Sequence, residues 1–365
     1  MRIVVKIGTN VLTGDFNTPQ SSIIQRLMGE IFALRKMGHE VILVSSGAVG
    51  TGWQFLPKLD ADEGTQIWAA IGQPVLMRMY SEAATEFGAQ VGQVLILRSE
   101  LTDRQRYDTL VNVLNAMLKS EVLPVINGND VISLADLLAS DNDLLAGMVA
   151  IATGADKLVI LTNQEGLFTA DPNLDKNAKL VKEVKNIDFE FERLCSNTKS
   201  APGRGGMLSK VRAAKHAANA GIETYIVDGR QKDILQKVFL SESVGTKVLA
   251  GGNPEMTRHK RWLLAAKGFG QIIVDGGAVK ALRNFKSLLF PGIVSARGLF
   301  GKGEIVEVID KTGLAVAYGK ANYDQGELFD ALAIKKTHEK NLKFAKEVIH
   351  CDHMAVIKSL TSTKY

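Results

Sequence analysis

Apolar positions in the first two thirds of the chain follow two alternating patterns, short β-prone runs and longer segments with helical spacing. The first run is Arg2-Ile3-Val4-Val5-Lys6-Ile7-Gly8-Thr9-Asn10, which carries one lysine just before it breaks into glycine and small polar residues. From Pro19 to Met37 the residues Ile23, Ile24, Leu27, Ile31 and Leu34 recur with helical spacing, and Gly38 is a stop. Val41 to Val44 is a strand that runs straight into Ser45-Ser46-Gly47-Ala48. The pattern predicts a helix over Ala69 to Phe87, a strand over Val91 to Leu97, a helix over Tyr107 to Lys119 and a strand over Val122 to Ile126. After Asn127-Gly128-Asn129-Asp130 and a polar insert, Ser140-Asp141-Asn142-Asp143 opens an apolar helix, Leu144 to Thr153. Lys157 to Leu161 is the next strand, ending in a polar stretch from Thr162 to Pro172. Gly203 to Lys210 then feeds an Ala-rich helix that ends near Gly221, and Glu223 to Val227 is predicted as the last strand, stopping at Asp228-Gly229. This alternation specifies an α/β fold with an open, mostly parallel sheet sandwiched by helices. Carboxyl ends of strands in such a sheet line a ligand crevice, and five of these runs end in small or polar groups.

From Ser241 the pattern changes. Gly245, Gly251 and Gly252 loosen the chain, Met256 to Ala266 reads as a short basic helix, and the β-prone runs become Gln271 to Val274, Ile305 to Ile309 and Leu314 to Tyr318. With helices over Ala278 to Asn284 and Gln325 to Ile334, this is a small β-rich module. Charge divides at the same place: from Met256 onward there are 18 Lys+Arg against 10 Asp+Glu, although the whole chain is only +5. The asymmetry argues for a separate C-terminal module and keeps nucleic acid open as its partner. With 46% hydrophobic residues in 365, the chain has ample material for two cores. No apolar run is long enough to span a bilayer, and Cys195 and Cys351 match no zinc or redox spacing, so a reducing cytoplasm is the expected setting.

Three groups of residues carry candidate chemistry. Two adjacent glycines in the turn Gly203-Arg204-Gly205-Gly206-Met207-Leu208-Ser209-Lys210 let backbone N–H groups approach an anion, and the helix that follows adds its positive end. The order is not that of a Walker A motif, and a plain tight turn is an equal reading. Asp130, Asp141 and Asp143 form an acidic cluster, which serves either a site or loop solubility alone, and Asn142 and Asp143 lie where a helix starts, where capping is the plain reading. Lys6, a lysine near a strand end, either snorkels to solvent or faces the crevice. If Asp143 faces the crevice as well, it can hold Lys6 and Lys210 around a polyphosphate, an arrangement that stabilises a phosphoryl group in flight without a covalent intermediate. His350, Cys351 and His353 are in an order unlike a zinc site and read as a structural tail.

Taken together, Val5-Lys6-Ile7-Gly8-Thr9, Ser45-Ser46-Gly47-Ala48, Asn127 to Asp130, Asp141-Asn142-Asp143, Ala155-Asp156-Lys157 through Ala170-Asp171-Pro172, and Gly205-Gly206-Met207 with Lys210 resemble the glutamate 5-kinase family of the amino-acid kinase superfamily. Val274-Asp275, Gly277-Ala278, Ser287-Leu288-Leu289, Pro291-Gly292-Ile293 and Gly298-Leu299-Phe300 resemble the PUA module that many such enzymes carry. The resemblance implies a kinase domain over 1–250, a linker with a short helix over 251–269, a PUA domain over 270–350 and a tail over 351–365. It implies phosphorylation of the side-chain carboxylate of L-glutamate by ATP with Mg2+, the first step of L-proline synthesis. By similarity Lys6, Lys210 and Asp143 are catalytic, and Ser46, Asp130 and Asn142 hold glutamate. Lys6, Gly8, Thr162, Asn163, Arg204, Gly205, Gly206, Met207, Leu208, Ser209 and Lys210 lie at the nucleotide, Mg2+ being held mainly by ATP oxygens rather than by protein ligands. The same resemblance implies a cytoplasmic homo-oligomer, dimer or tetramer, coupling to glutamate-5-semialdehyde dehydrogenase, and feedback by L-proline. Departures from the family pattern stand at Gly128 (usually Glu), Asn163 (Asp), Arg204 (Thr), Ser209 (Thr) and Gly276 (Glu). Alternatives are a superfamily kinase for another acceptor, against which the PUA-like module argues, and an RNA-binding or RNA-modifying protein, against which the sparse aromatics of the tail argue.

Overall fold

A computed structural model of the chain describes all residues except 15, 17, 133–140, 171, 173, 189–190, 194–205, 241–242, 252–255, 267–269, 337–346 and 358–365; the side chains of 61–63, 98 and 334–336 are likewise left aside. The β-prone runs become β1 (Arg2–Ile7), β2 (Glu40–Ser45), β3 (Val91–Ile96), β4 (Leu123–Gly128), β5 (Lys157–Thr162), β6 (Glu183–Val184), β7 (Glu223–Asp228) and β8 (Thr246–Val248). Among the described residues these form one sheet in the order β3-β4-β2-β1-β5-β7-β8-β6. Neighbouring strands run parallel except β7 with β8, so the carboxyl ends of β1, β2, β4, β5 and β7 lie along one edge.

β1 is central because both of its faces are apolar. Ile3, Val5 and Ile7 join the core under the helices Ser21–Lys36, Ala61–Thr85 and Ile234–Phe239. Val4 joins the opposite core, under Arg104–Lys119, Asn142–Thr153 and Met207–Asn219. Strand side chains alternate faces, so Lys6 lies on the Val4 side, toward the last two of those helices. Helix positions are therefore what decide the lysine's environment.

The sequence reading did not anticipate the strand Ile293–Arg297 and needs correction at further points. β4 continues two residues past Ile126, because Leu95 and Ile96 extend the ladder to Asn127 and Gly128. Glu223–Asp228 is not the last strand of the sheet: β8 pairs antiparallel with it and β6 with β8, and runs of three and two residues are too short to show a period in sequence. The helix expected from Ala69 begins at Ala61, and Pro74 lies inside it. Finally, the stretch read as a tail contributes Met354–Val356 to the second sheet.

That second sheet contains β9 (Gln271–Val274), β10 (Ile293–Arg297), β11 (Ile305–Ile309), β12 (Ala315–Lys320) and β13 (Met354–Val356), in the order β10-β9-β11-β12-β13. It has its own core on one face, including Ile272, Val306, Val308 and Val316. Its other face contributes Ile305, Ala315, Tyr318, Ala355 and Ile357 to the core that contains helices Asn142–Thr153 and Met207–Asn219. The C-terminal module is thus packed on the large domain through shared apolar burial.

Candidate active site

Three charged side chains meet at the carboxyl end of β1. Asp143 comes from the first turn of Asn142–Thr153, Lys210 from the first turn of Met207–Asn219, and Lys6 from the strand itself. Lys6 Nζ lies 2.5 Å from Asp143 Oδ1, and Lys210 Nζ lies 2.9 Å from Asp143 Oδ2. Relative exposures are 4% for Lys6, 7% for Lys210 and 0% for Asp143. A carboxylate in a first helical turn complements the helix dipole, whereas a lysine there opposes it. Lys210 therefore sits against its local preference, with Asp143 as the compensating charge.

The protonation behaviour follows from this packing. Burial pushes the Asp143 carboxyl upward, but the ammonium groups of Lys6 and Lys210 outweigh it and hold the group at about 2. Burial lowers Lys6, Asp143 opposes that, and the nearby charge of Lys210 lowers it further. Asp141 is raised, first by burial and then by the charge of Asp143. Two lysine side chains converge on one fully buried carboxylate where little water reaches them, an arrangement that suits an incoming polyanion.

Ser209 completes the cluster: its hydroxyl lies 2.8 Å from Asp143 Oδ2 and 2.8 Å from the Gly206 carbonyl. Capping, read for Asn142 and Asp143, falls instead to Asp141, whose carboxylate accepts the Asp143 N–H at 2.9 Å. Both residues are thereby freed to face the crevice.

Asn142 turns toward the ends of β2 and β4. Its Nδ2 lies 3.0 Å from Ser46 Oγ, 3.0 Å from Asn127 Oδ1 and 3.2 Å from the Ser45 carbonyl. A Cβ built on Gly128 would stand 3.6 Å from both Asn142 Oδ1 and Asp130 Oδ1, so Asp130 and Asn142 flank one small space. Ser46 and Asn142 are thus in contact, and Asp130 lies beside the same space. Thr162 is buried at the end of β5, and Asn163 beyond it is exposed. Gly8 allows β1 and β5 to close up: a Cβ there would lie 3.3 Å from the Leu161 carbonyl and 3.6 Å from Lys6 Nζ. Gly206, Met207 and Leu208 lead into the helix of Lys210, while Arg204 and Gly205 lie outside the described residues.

Asn127 escaped the sequence reading as a site residue. It is buried, donates to Gln73 Oε1 at 2.9 Å and accepts from Asn142, so it fixes the direction of the Asn142 amide. Ser45 is held in the same layer by Tyr80, 2.7 Å between their oxygens. An amide at the end of an apolar run was the available signal; its partner Gln73 sits on a helix with no visible link to that run.

Residues 1–228 match the amino acid kinase family. The chain belongs to that family. Residues 270–343 match the PUA domain. A glutamate 5-kinase of Shewanella halifaxensis is 38% identical over 368 residues, covering 98% of this chain and 98% of the relative. One from Vibrio vulnificus is also 38% identical, covering 98% of this chain and 96% of its own. Among solved structures, a carbamate kinase from Giardia lamblia bound to AMP-PNP is similar at 18% identity and a TM-score of 0.49, covering 68% of this chain and 98% of that one. In this member of the amino acid kinase family the α/β sheet carries the charged cluster, and the β-rich module is the PUA domain.

Proposed function

We propose that this chain is an enzyme that transfers the γ-phosphoryl group of ATP to the side-chain carboxylate of L-glutamate, giving L-glutamyl 5-phosphate and ADP, the first step of L-proline biosynthesis. The observation that carries this reading is the buried Lys6–Asp143–Lys210 cluster at the carboxyl end of β1, in a chain whose relatives over nearly full length are glutamate 5-kinases.

Lys6 and Lys210 neutralise the phosphoryl group as it moves, and Asp143 fixes their separation. Glutamate's carboxylate is already ionised at neutral pH, so no general base is needed. The task is to bring two anions into line and offset their repulsion. Ser46, Asn142 and Asp130 hold the amino acid, with Asp130 suited to its ammonium group. Gly8, Thr162, Asn163 and the segment Arg204 to Lys210 lie at the nucleotide. Mg2+, carried by ATP phosphate oxygens, adds charge neutralisation; Asp143 fits that division, since its oxygens are already engaged by Lys6, Lys210 and Ser209. The proposed boundaries are a kinase domain over 1–250, a linker over 251–269 and a PUA domain from 270 that takes in β13.

Homo-oligomerisation, coupling to glutamate-5-semialdehyde dehydrogenase and feedback by L-proline belong to the same reading. Gly128 leaves the acceptor space with one carboxylate fewer than the family pattern and alters that feedback. A coupled assay for ADP release tests the proposal. Turnover that requires glutamate supports it; turnover with another amino acid or carbamate but none with glutamate sinks it. Retention on tRNA at physiological salt, without any glutamate-dependent turnover, favours an RNA-binding protein instead.

A further inference from the structure

The two helices that carry Asp143 and Lys210 present their N-terminal turns to the site; farther along, the second meets the C-terminal sheet directly and the first meets the linker helix Arg258–Ala265, which packs on that sheet. On Met207–Asn219, Lys215 Nζ lies 3.1 Å from the Gly313 carbonyl, the His216 ring meets Tyr318 edge-on at 5.7 Å between centroids, and Asn219 Nδ2 donates to Tyr318 Oη at 3.1 Å. Tyr318 Oη in turn donates to Glu307 Oε1 at 2.7 Å, and Gln271 Nε2 donates to Glu307 Oε2 at 2.7 Å. Tyr318 and Glu307 are both almost completely buried. Three strands of the second sheet therefore feed one polar chain that ends on this helix.

The helix Asn142–Thr153 is held in a similar way. Arg258–Ala265 packs along it, and the Arg261 guanidinium fills the space that a Cβ on Gly154 would need, at the negative end of the helix. Helix Arg258–Ala265 also touches β12 and β13. The C-terminal sheet, together with the linker helix packed on it, thus braces both helices whose spacing sets the distance between Asp143 and Lys210.

The geometry points to Tyr318 as a positioning residue for Lys210: through Asn219 and Glu307 it fixes Met207–Asn219, and with it the lysine nine residues back, against the C-terminal sheet. A rigid helix transmits this over about 13 Å, at 1.5 Å per residue. A buried carboxylate that loses one of its donors favours rearrangement of its surroundings. The kinetic part of this inference rests on the proposed glutamate phosphorylation; the structural part does not.

The test compares Tyr318→Phe with Val306→Ala in the full-length protein. Val306 lies in the separate core on the other face of the C-terminal sheet and contributes no side-chain hydrogen bond to the polar chain. For Tyr318→Phe, kcat falls about ten-fold while KM for glutamate and for ATP stays within about two-fold, as expected when placement of a transferring group is disturbed. Amide hydrogen exchange over 207–219 quickens in the same variant. Val306→Ala lowers Tm at least as much and keeps kcat. If Tyr318→Phe does not fold, Asn219→Ala cuts the same link from the helix side and carries the same expectations. An unchanged kcat in a folded variant, unchanged exchange over 207–219, or an equal loss of kcat in Val306→Ala overturns the assignment. Absence of glutamate turnover in the wild type rejects the proposed reaction, and exchange alone then decides the coupling.

Discussion

Two carboxylates in this protein are each gripped by two lysines, and they do different things. Asp143 takes Lys6 and Lys210 in the crevice, while Glu223 takes Lys157 and Lys247, the latter at 2.8 Å, on the flank of the large sheet. Tyr225 Oη adds a third bond to Glu223 at 2.6 Å. In both cases burial raises the carboxyl and its partners then bring it down to about 2. Solvent separates them. Lys247 is 36% exposed and Glu223 21%, whereas Asp143 is sealed. Water and salt screen the outer cluster, so its excess charge is a surface feature. The inner cluster is sealed from that screening, and under the proposed function this is what makes the same residue types a site.

The largest effects separate the clusters by activity. Lys210→Ala is expected to lower kcat by about 10²- to 10³-fold with a much smaller change in glutamate KM, measured by coupled ADP release. Unchanged turnover removes Lys210 from the site. Asp143→Asn leaves two buried ammonium groups without their carboxylate and is expected to destabilise the protein by about 3–5 kcal/mol in urea unfolding. Equal destabilisation by Glu223→Gln would erase the contrast.

Acid is the next way to divide them. The folded value of Asp143, about 2, lies below its ordinary 3.8, so its stabilising contribution is complete above the ordinary value and is lost as pH falls toward about 2. Glu223 contributes with the same sign, but its share should shrink in high salt while that of Asp143 persists. Thermal melts between pH 5 and pH 2 at two salt concentrations check this. The smallest effect is expected from Glu223→Gln itself: a stability change of at most about 1 kcal/mol and unchanged kcat. Gly128→Glu sharpens a different edge of the site; the space beside Asn142 and Asp130 accepts a Cβ, so the variant should fold as the wild type does and, under the proposed feedback by L-proline, shift the inhibition read in a glutamate-dependent ADP-release assay.

Much of this was legible along the chain. The alternation of apolar runs specified a parallel α/β sheet, and the polar ends of those runs marked the crevice, because a strand's period and its termination are local properties. Lys6, Asp143 and Lys210 were readable as candidates, and the family resemblance assigned their roles. Asn127 was hidden because Gln73, its partner, lies 54 residues away on another helix. The strands Glu183–Val184 and Thr246–Val248 were hidden because their length is set by the strand they pair with, not by their own pattern.

The sequence by itself determined the longer elements, their order, the family resemblance and the residue types available for chemistry, all consequences of near-neighbour preferences and spacing. Only the tertiary structure decided which of two similar carboxylate–lysine clusters is sealed from water. It also joined the C-terminal sheet to the helices of Asp143 and Lys210. Both outcomes depend on contacts between residues far apart in the chain, and on burial, which no single segment specifies.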